Sequence, residues 1–146
     1  MKYGESGFGH VGIITKVTKD SVQIHEAVSK GFVKSYYPKE FLNGMIAKGT
    51  IELKETKIKL KDIEKNADKY LGRPYAWYDI AGVIISFLTG CRFIKITGTS
   101  KLICSEAVAR ILYDSSDKKI NIAKELDKPY DLITPMDIYL SRSLKW

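Results

Sequence analysis

Cys104, His10 and Glu26 are the residues of this 146-residue chain whose types and surroundings could support chemistry, and that chemistry would be nucleophilic catalysis by a thiol. A thiol is a small hydrophobe until something takes its proton. The start of a helix helps, because its unpaired N–H groups and positive dipole end favour the thiolate. Cys104 stands where the apolar pair Leu102–Ile103 runs into CSEAVARILYD, at the start of a helix. The same run also puts Cys104, Ala107, Val108 and Ile111 at i, i+3, i+4 and i+7, the spacing of a buried helix face. The helix by itself therefore fits an inert cysteine as well as a reactive one. A base elsewhere must decide.

That base is sought on the first hairpin. HVGIITKV, from His10 to Val17, is β-branched and predicts a strand; Thr18–Asp20 supply turn residues, and Ser21–Val28 predict the partner strand. On the second strand Val22, Ile24 and Val28 are apolar while Ser21, Gln23 and His25 are polar, which marks the even face as the buried one. Glu26 falls on that apolar face, and a carboxylate there demands a partner. A three-residue loop (Thr18, Lys19, Asp20) sets Val17 opposite Ser21 and Gly12 opposite Glu26, leaving His10 diagonally beside Glu26. A two-residue loop would bring His25 to the His10 face instead, because one residue of slip inverts every side chain. The clearer parity of the second strand favours the pairing of His10 with Glu26, and leaves His25 as a lesser candidate facing solvent or a neighbouring strand.

Further elements must hold this pair against the cysteine. Residues 31–49 read as a connector with a short helix near Lys39–Asn43, followed by strand-like Ile51–Leu60. A helix is predicted over Lys61–Leu71 with Gly72 as its stop and Pro74 beyond, and a second over Ala76–Leu88. Residues 89–100, with Gly90, Gly98 and several hydroxyl side chains, read as a loop leading into the Cys104 helix. Thr134 and Pro135 predict a late helix start, with Thr134 as N-cap. Gly7 and Gly9 lack the strand–turn–helix context that a phosphate-binding loop requires.

Composition bounds the rest. The length, 45% hydrophobic and 28% charged residues fit one globular domain spanning 1–146 with a single core. Two cysteines are too few for a disulfide framework, so reduced thiols are expected. No N-terminal apolar stretch of a secretory signal is seen, and the longest apolar run, Ile80–Leu88, is too short to span a bilayer. The expected location is the cytoplasm or, for a chain whose leader has been removed, the cell envelope. A formal charge of +7 and a pI near 9.3 favour anionic partners such as wall polymers or membrane surfaces, reached through the lysines. Aromatic residues do not interleave with the Lys54–Lys65 run, which argues against a nucleic-acid platform and is consistent with a solvated, charge-protected strand edge.

The chain order of histidine, acid and cysteine is rotated relative to papain-type enzymes, which place the cysteine first. In that order the sequence resembles the permuted papain-like amidases typified by YiiX-like proteins, relatives of NlpC-type cell-wall peptidases and lecithin:retinol acyltransferase. The resemblance rests on GHVGII with His10, IHEAVSKGFV with Glu26, LGRPYAWYD with Tyr75, LICSEAVARIL with Cys104, and the late TPMDIYL, which together cover most of the chain. It implies an α+β fold of circularly permuted papain-like (NlpC-type) architecture, with an antiparallel sheet packed against helices and the cysteine at a helix N-terminus. It also implies Cys104, His10 and Glu26 as catalytic triad, Tyr75 in the substrate cleft, and an amide or ester substrate from the envelope, either peptidoglycan peptide or acyl lipid. The chain departs from the family pattern at Gly9, where a hydroxyl residue is usual, and at Tyr75–Ala76, where a Tyr-Asp pair is usual.

The expectation is a cysteine hydrolase acting through a thioester acyl-enzyme, without metal or organic cofactor. Two histidines and two cysteines show none of the close spacings of zinc sites, and Cys91 beside Arg92 has no predicted base. Two other readings compete: an acyltransferase using the same acyl-enzyme, and a non-catalytic basic module that binds anionic polymers.

Overall fold

The computed structural model describes residues 9–74 and 104–146. They form an α+β arrangement around an antiparallel sheet of β1 (Gly12–Val17), β2 (Ser21–Val28) and β3 (Gly31–Pro38), with β2 in the centre. α1 (Lys39–Ala47) continues directly from β3, and β4 (Glu55–Thr56) and α2 (Ile63–Asp68) follow. The second described stretch carries α3 (Cys104–Ser115), α4 (Ile122–Leu126), a 3-10 turn at Tyr130–Leu132, α5 (Pro135–Leu140) and β5 (Leu144–Lys145), which pairs with β4. Tyr75, Cys91, the helix expected over Ala76–Leu88 and the loop expected over 89–100 lie outside the described residues.

β3 corrects the connector expected over 31–49. Its residues pair with β2 from Val28 opposite Gly31 to Ser21 opposite Pro38. Ser29 and Lys30 form the two-residue turn, and Gly31 enters the strand at φ +118°, a conformation open to glycine. A Cβ on Gly31 would also lie 2.6 Å from the Arg73 carbonyl oxygen. That close approach lets Phe32 N–H donate to Arg73 O and Gly72 N–H to Phe32 O, each at 2.9 Å, tying the chain after α2 to the sheet. α2 is shorter than the expected Lys61–Leu71 at both ends: Asp62 turns left-handed at φ 49° before it, and it stops at Asp68 with Lys69 as its C-cap, so Gly72, at φ +76°, ends the turns that follow the helix and not the helix itself. The strand expected over Ile51–Leu60 shrinks to two residues, whose partner is the C-terminal β5.

The first hairpin reaches the expected Gly12–Glu26 pairing by an unexpected route. Thr18 N–H donates to Ser21 O at 2.9 Å, so the turn has two residues, Lys19 and Asp20, and Val17 faces Val22 rather than Ser21. Carried unchanged along the strand, this register would put His10 on the His25 face. A bulge between Ile14 and Lys16 inserts Thr15 and reverses the parity, after which Ile14 faces Ile24 and Gly12 faces Glu26. His10, two residues before Gly12, thereby returns to the side of Glu26.

Both faces of β2 are covered, which corrects the reading of its polar residues as outward. Gln23, His25 and Ala27 are more deeply buried than Val22 or Glu26, and His25 is fully enclosed. His25 is affordable there because both ring nitrogens are bonded: Nδ1 to Thr15 Oγ1 at 2.9 Å and Nε2 to Asp68 Oδ1 at 2.8 Å. Asp68 and Glu64 share Lys34, and Gln23 bridges Thr15 and Glu64. The polar alternation in β2 thus records a paired network beneath α2, and not a solvated face.

α3 is buried along nearly its whole length, with Ala107, Ala109 and Ile111 fully enclosed. Its residues form one apolar cluster with Ile13, Ala27, Phe32, Ala67, Ile122 and Ile133. Polar bonds fix its two ends. Ser105 Oγ donates to Ile133 O, and Asn66 Nδ2 donates to Ser115 Oγ at 3.0 Å. The start of α5 bears the predicted cap: Thr134 accepts from Asp137 N–H and Asp137 returns the bond to Thr134 N–H, with Pro135 in the first turn.

Removing the acceptor beneath His25 isolates a buried donor. Asp68→Ala is expected to lower unfolding free energy by about 1–3 kcal/mol in urea denaturation, the usual cost of an unsatisfied buried group. Cys104 alkylation should stay unchanged, because Asp68 lies on the far side of β2.

Candidate active site

Glu26 is held on the even face of β2 at 8% exposure, and every hydrogen bond it accepts follows from strand register. Gly12 faces it from β1, so His10 reaches it diagonally; His10 Nε2 lies 3.1 Å from Glu26 Oε2. From β3, Val33 faces Glu26 and Ser35 and Tyr37 follow on the same side. Tyr37 Oη donates to Glu26 Oε1 at 2.6 Å, and the Ser35 hydroxyl adds a weaker contribution. The bare Cα of Gly12 makes the room. A Cβ there would sit 2.9 Å from Ile24 Cγ2 and 3.3 Å from Glu26 Cβ.

The thiol completes the group. Cys104 begins α3, is 3% exposed, and bonds through its side chain to His10. The backbone N–H groups of Val11 and Ser105 also point at its sulfur. Of the four sequence-predicted site residues, the structure brings Cys104, His10 and Glu26 together; Tyr75 lies outside the described residues. Tyr37 and Ser35 escape the sequence reading because β3 does. Ser29–Lys30–Gly31 after a β-branched strand was the available signal, since a two-residue turn there projects Tyr37 towards Glu26.

The electrostatics follow the contacts. Hydrogen bonds to Cys104 and Glu26 outweigh burial and raise the His10 pKa from 6.5 to about 9. Burial would raise the Glu26 carboxyl, but His10, Tyr37 and Ser35 together hold it at about 2. Burial likewise pushes the Cys104 thiol up, and the opposing hydrogen bond and charge of His10, helped by the two backbone N–H groups, bring it below its ordinary value. The arrangement favours a thiolate–imidazolium pair with an ionised carboxylate behind it. Since the proton is shared between strongly interacting groups, the pair titrates as a unit.

His10, Glu26 and Tyr37 also line a cavity of about 850 Å³ between the even face of the sheet, α1, the 51–60 segment, α3 and α5. Its walls are mostly apolar: Ile14, Val22 and Ile24 from the sheet, Met45 and Ile46 from α1, and Val108 and Leu112 from α3 among them. An enclosed void of that size would cost on the order of 20 kcal/mol at about 24 cal/mol per Å³. That exceeds the stability of an ordinary domain, so the space left among the described residues is not an empty void in the folded protein. Among the described residues no group of three or more potential ligands could hold a metal ion, and no helix is long and apolar enough to cross a membrane.

Comparisons with protein-family models, curated proteins and solved structures found no match.

Two outcomes check that geometry. His10 has a folded-state pKa above its unfolded value, so its pairing stabilises the protein below about pH 6.5 and upward until it is lost as pH rises through about 9. Stability measured against pH should fall across that alkaline window in the parent protein and much less in His10→Ala. Gly12→Ala should leave the protein folded but displace Glu26, moving the pH midpoint of Cys104 alkylation upward.

Proposed function

We propose that the protein is a cysteine hydrolase that cleaves an amide or ester through a thioester acyl-enzyme, on a circularly permuted papain-like (NlpC-type) scaffold. The observation that carries this reading is the His10 imidazole seated between the Cys104 thiol and the Glu26 carboxylate. The rotated chain order, the cysteine at a helix start and the base on an antiparallel sheet support the scaffold assignment.

The roles follow from the contacts. Glu26 engages Nε2 and stabilises the imidazolium, which leaves Nδ1 to exchange a proton with sulfur. The Cys104 thiolate attacks the substrate carbonyl carbon, forming a C–S bond and moving the carbonyl π pair onto oxygen. That pair returns as the bond to the leaving nitrogen or oxygen breaks, and His10 gives its proton to the leaving group. A water then attacks the thioester, losing its proton to His10, and breakage of the C–S bond releases a carboxylic acid and restores the resting pair. The N–H groups of Val11 and Ser105 stabilise the sulfur anion between turnovers, and the backbone N–H of Cys104 contributes to binding the oxyanion. The chain's +7 charge suits an anionic envelope substrate, peptide or acyl lipid.

Alkylation of Cys104 by iodoacetamide against pH provides the test. The thiolate should form well below pH ~8.5, the ordinary thiol value, and His10→Ala should return its midpoint to that value or higher. On an activated ester, Cys104→Ala should abolish turnover and His10→Ala should reduce it by about 10²–10⁴-fold. Full activity in Cys104→Ala, or an alkylation midpoint indifferent to His10, would sink the reading.

A further inference from the structure

We infer that Thr15 is a positioning residue for the site: its hydroxyl, clamped by Gln23 and His25, pins the β1 bulge in place and so keeps His10 on the Glu26 face. This rests on the hydrolase reading for the use made of His10, but not for its placement.

The apolar residues of β1 do not choose its register. Ile13 fills the core opposite His25, while its neighbour Ile14 faces Ile24 and lines the cavity. Without the bulge Ile14 would face His25, one isoleucine standing in for the other, and the same slip would carry His10 to the His25 face. Backbone pairing is no better a guide, because both registers form a ladder and the unbulged one leaves no residue out of it. Gly12 fits the crowded place opposite Glu26 better than an isoleucine would, but it offers no side-chain bond to hold it there.

Thr15 supplies the difference. It shares the face of Gln23 with Lys16, the duplication that a bulge creates. Gln23 Nε2 donates to Thr15 Oγ1 at 2.9 Å, the Thr15 hydroxyl donates to His25 Nδ1 at 2.9 Å, and His25 Nε2–H donates to Asp68 Oδ1 at 2.8 Å. Every polar atom in that row is matched. Gln23 and His25 are 3% and 0% exposed, so water cannot replace a lost partner. In the unbulged register Thr15 would face Ile24 on the other side of the sheet, leaving Gln23 and His25 each with a buried atom unsatisfied. Two such losses outweigh the one residue that the bulge takes out of the ladder. Both bonds of the hydroxyl lie on the face of β2 away from Glu26, so Thr15 acts on the site through the placement of His10.

Two measurements on the full chain separate placement from stability: the His10 ring pKa followed by NMR, and the pH midpoint of Cys104 alkylation by iodoacetamide. Thr15→Val keeps the side-chain shape and loses the hydroxyl. It should return the His10 pKa from about 9 towards 6.5 and raise the alkylation midpoint by about one pH unit or more, the shift that an opposite charge imparts at contact. Thr15→Ser keeps the hydroxyl and should hold both at parent values. Deleting Thr15 removes clamp and insertion together, so that Lys16 still faces Gln23, Ile14 faces Ile24 and Gly12 faces Glu26 in a straight strand. Its stability should fall, as in Thr15→Val, while both readouts stay with the parent. Thr15→Val at parent values, or Thr15→Ser or the deletion at the His10→Ala midpoint, overturns the proposal. The hydrolase reading fails separately. An inert thiol beside a raised His10 pKa that falls in Thr15→Val condemns only the hydrolase, and a parent thiolate lost in His10→Ala but untouched in Thr15→Val condemns only the positioning role.

Discussion

A single inserted residue in β1 decides which side chains meet. The two-residue turn at Lys19–Asp20 starts the hairpin in a register that would seat His10 on the face of Gln23 and His25. The bulge at Thr15 reverses that parity before the chain reaches Gly12. Thr15 is itself held in place by His25 and Gln23, so the network on one face of β2 fixes the register that assembles the site on the other. Glu26, Tyr37 and the bare Cα of Gly12 all take their meaning from that reversal.

Around the reversed strand, the sheet and α3 divide the work. The first hairpin supplies the imidazole, two residues before β1, and the carboxylate from β2, where cross-strand distances leave little freedom. α3 supplies the thiol at Cys104, where the backbone N–H of Ser105 has no partner within the helix and turns to the sulfur. Because Ser105 is bonded to Ile133 O and the far end of α3 to Asn66, the cysteine is fixed along the helix axis as well as across it. A buried thiol would ordinarily be a poor acid. Here the cost of burial is offset by His10, whose charge is in turn stabilised by a carboxylate with its own second donor in Tyr37.

Much of this was legible in the chain. The boundaries of β2, the start of α3 and the N-cap at Thr134 follow from local patterns, and the pairing of Glu26 with His10 was expected, although from a three-residue turn that the structure replaces with a two-residue turn and a bulge. The carboxylate on an apolar strand face was the most telling of them, because buried charge forces a partner. What was misread had a common cause: polar or irregular residues whose partners lie far away in sequence. Gln23 and His25 looked solvent-facing because Glu64 and Asp68, some forty positions on, could not be seen beside them. β3 looked like a connector because KSYYP is polar and ends in proline, although its aromatics and the preceding turn suit a strand. The bulge left no mark in composition, since Thr15 is an ordinary strand residue.

The two histidines give the molecule a built-in comparison for chemical labelling. Each rests against a carboxylate, one on either face of the same strand, and only two are present. Yet the His10 side chain keeps 27% of its surface open while that of His25 keeps none. An acylating reagent needs the unprotonated ring, so raising the pH through about 9 opens His10 to it while His25 stays closed as long as the fold holds. One sample then reports the site at one ring and the fold at the other.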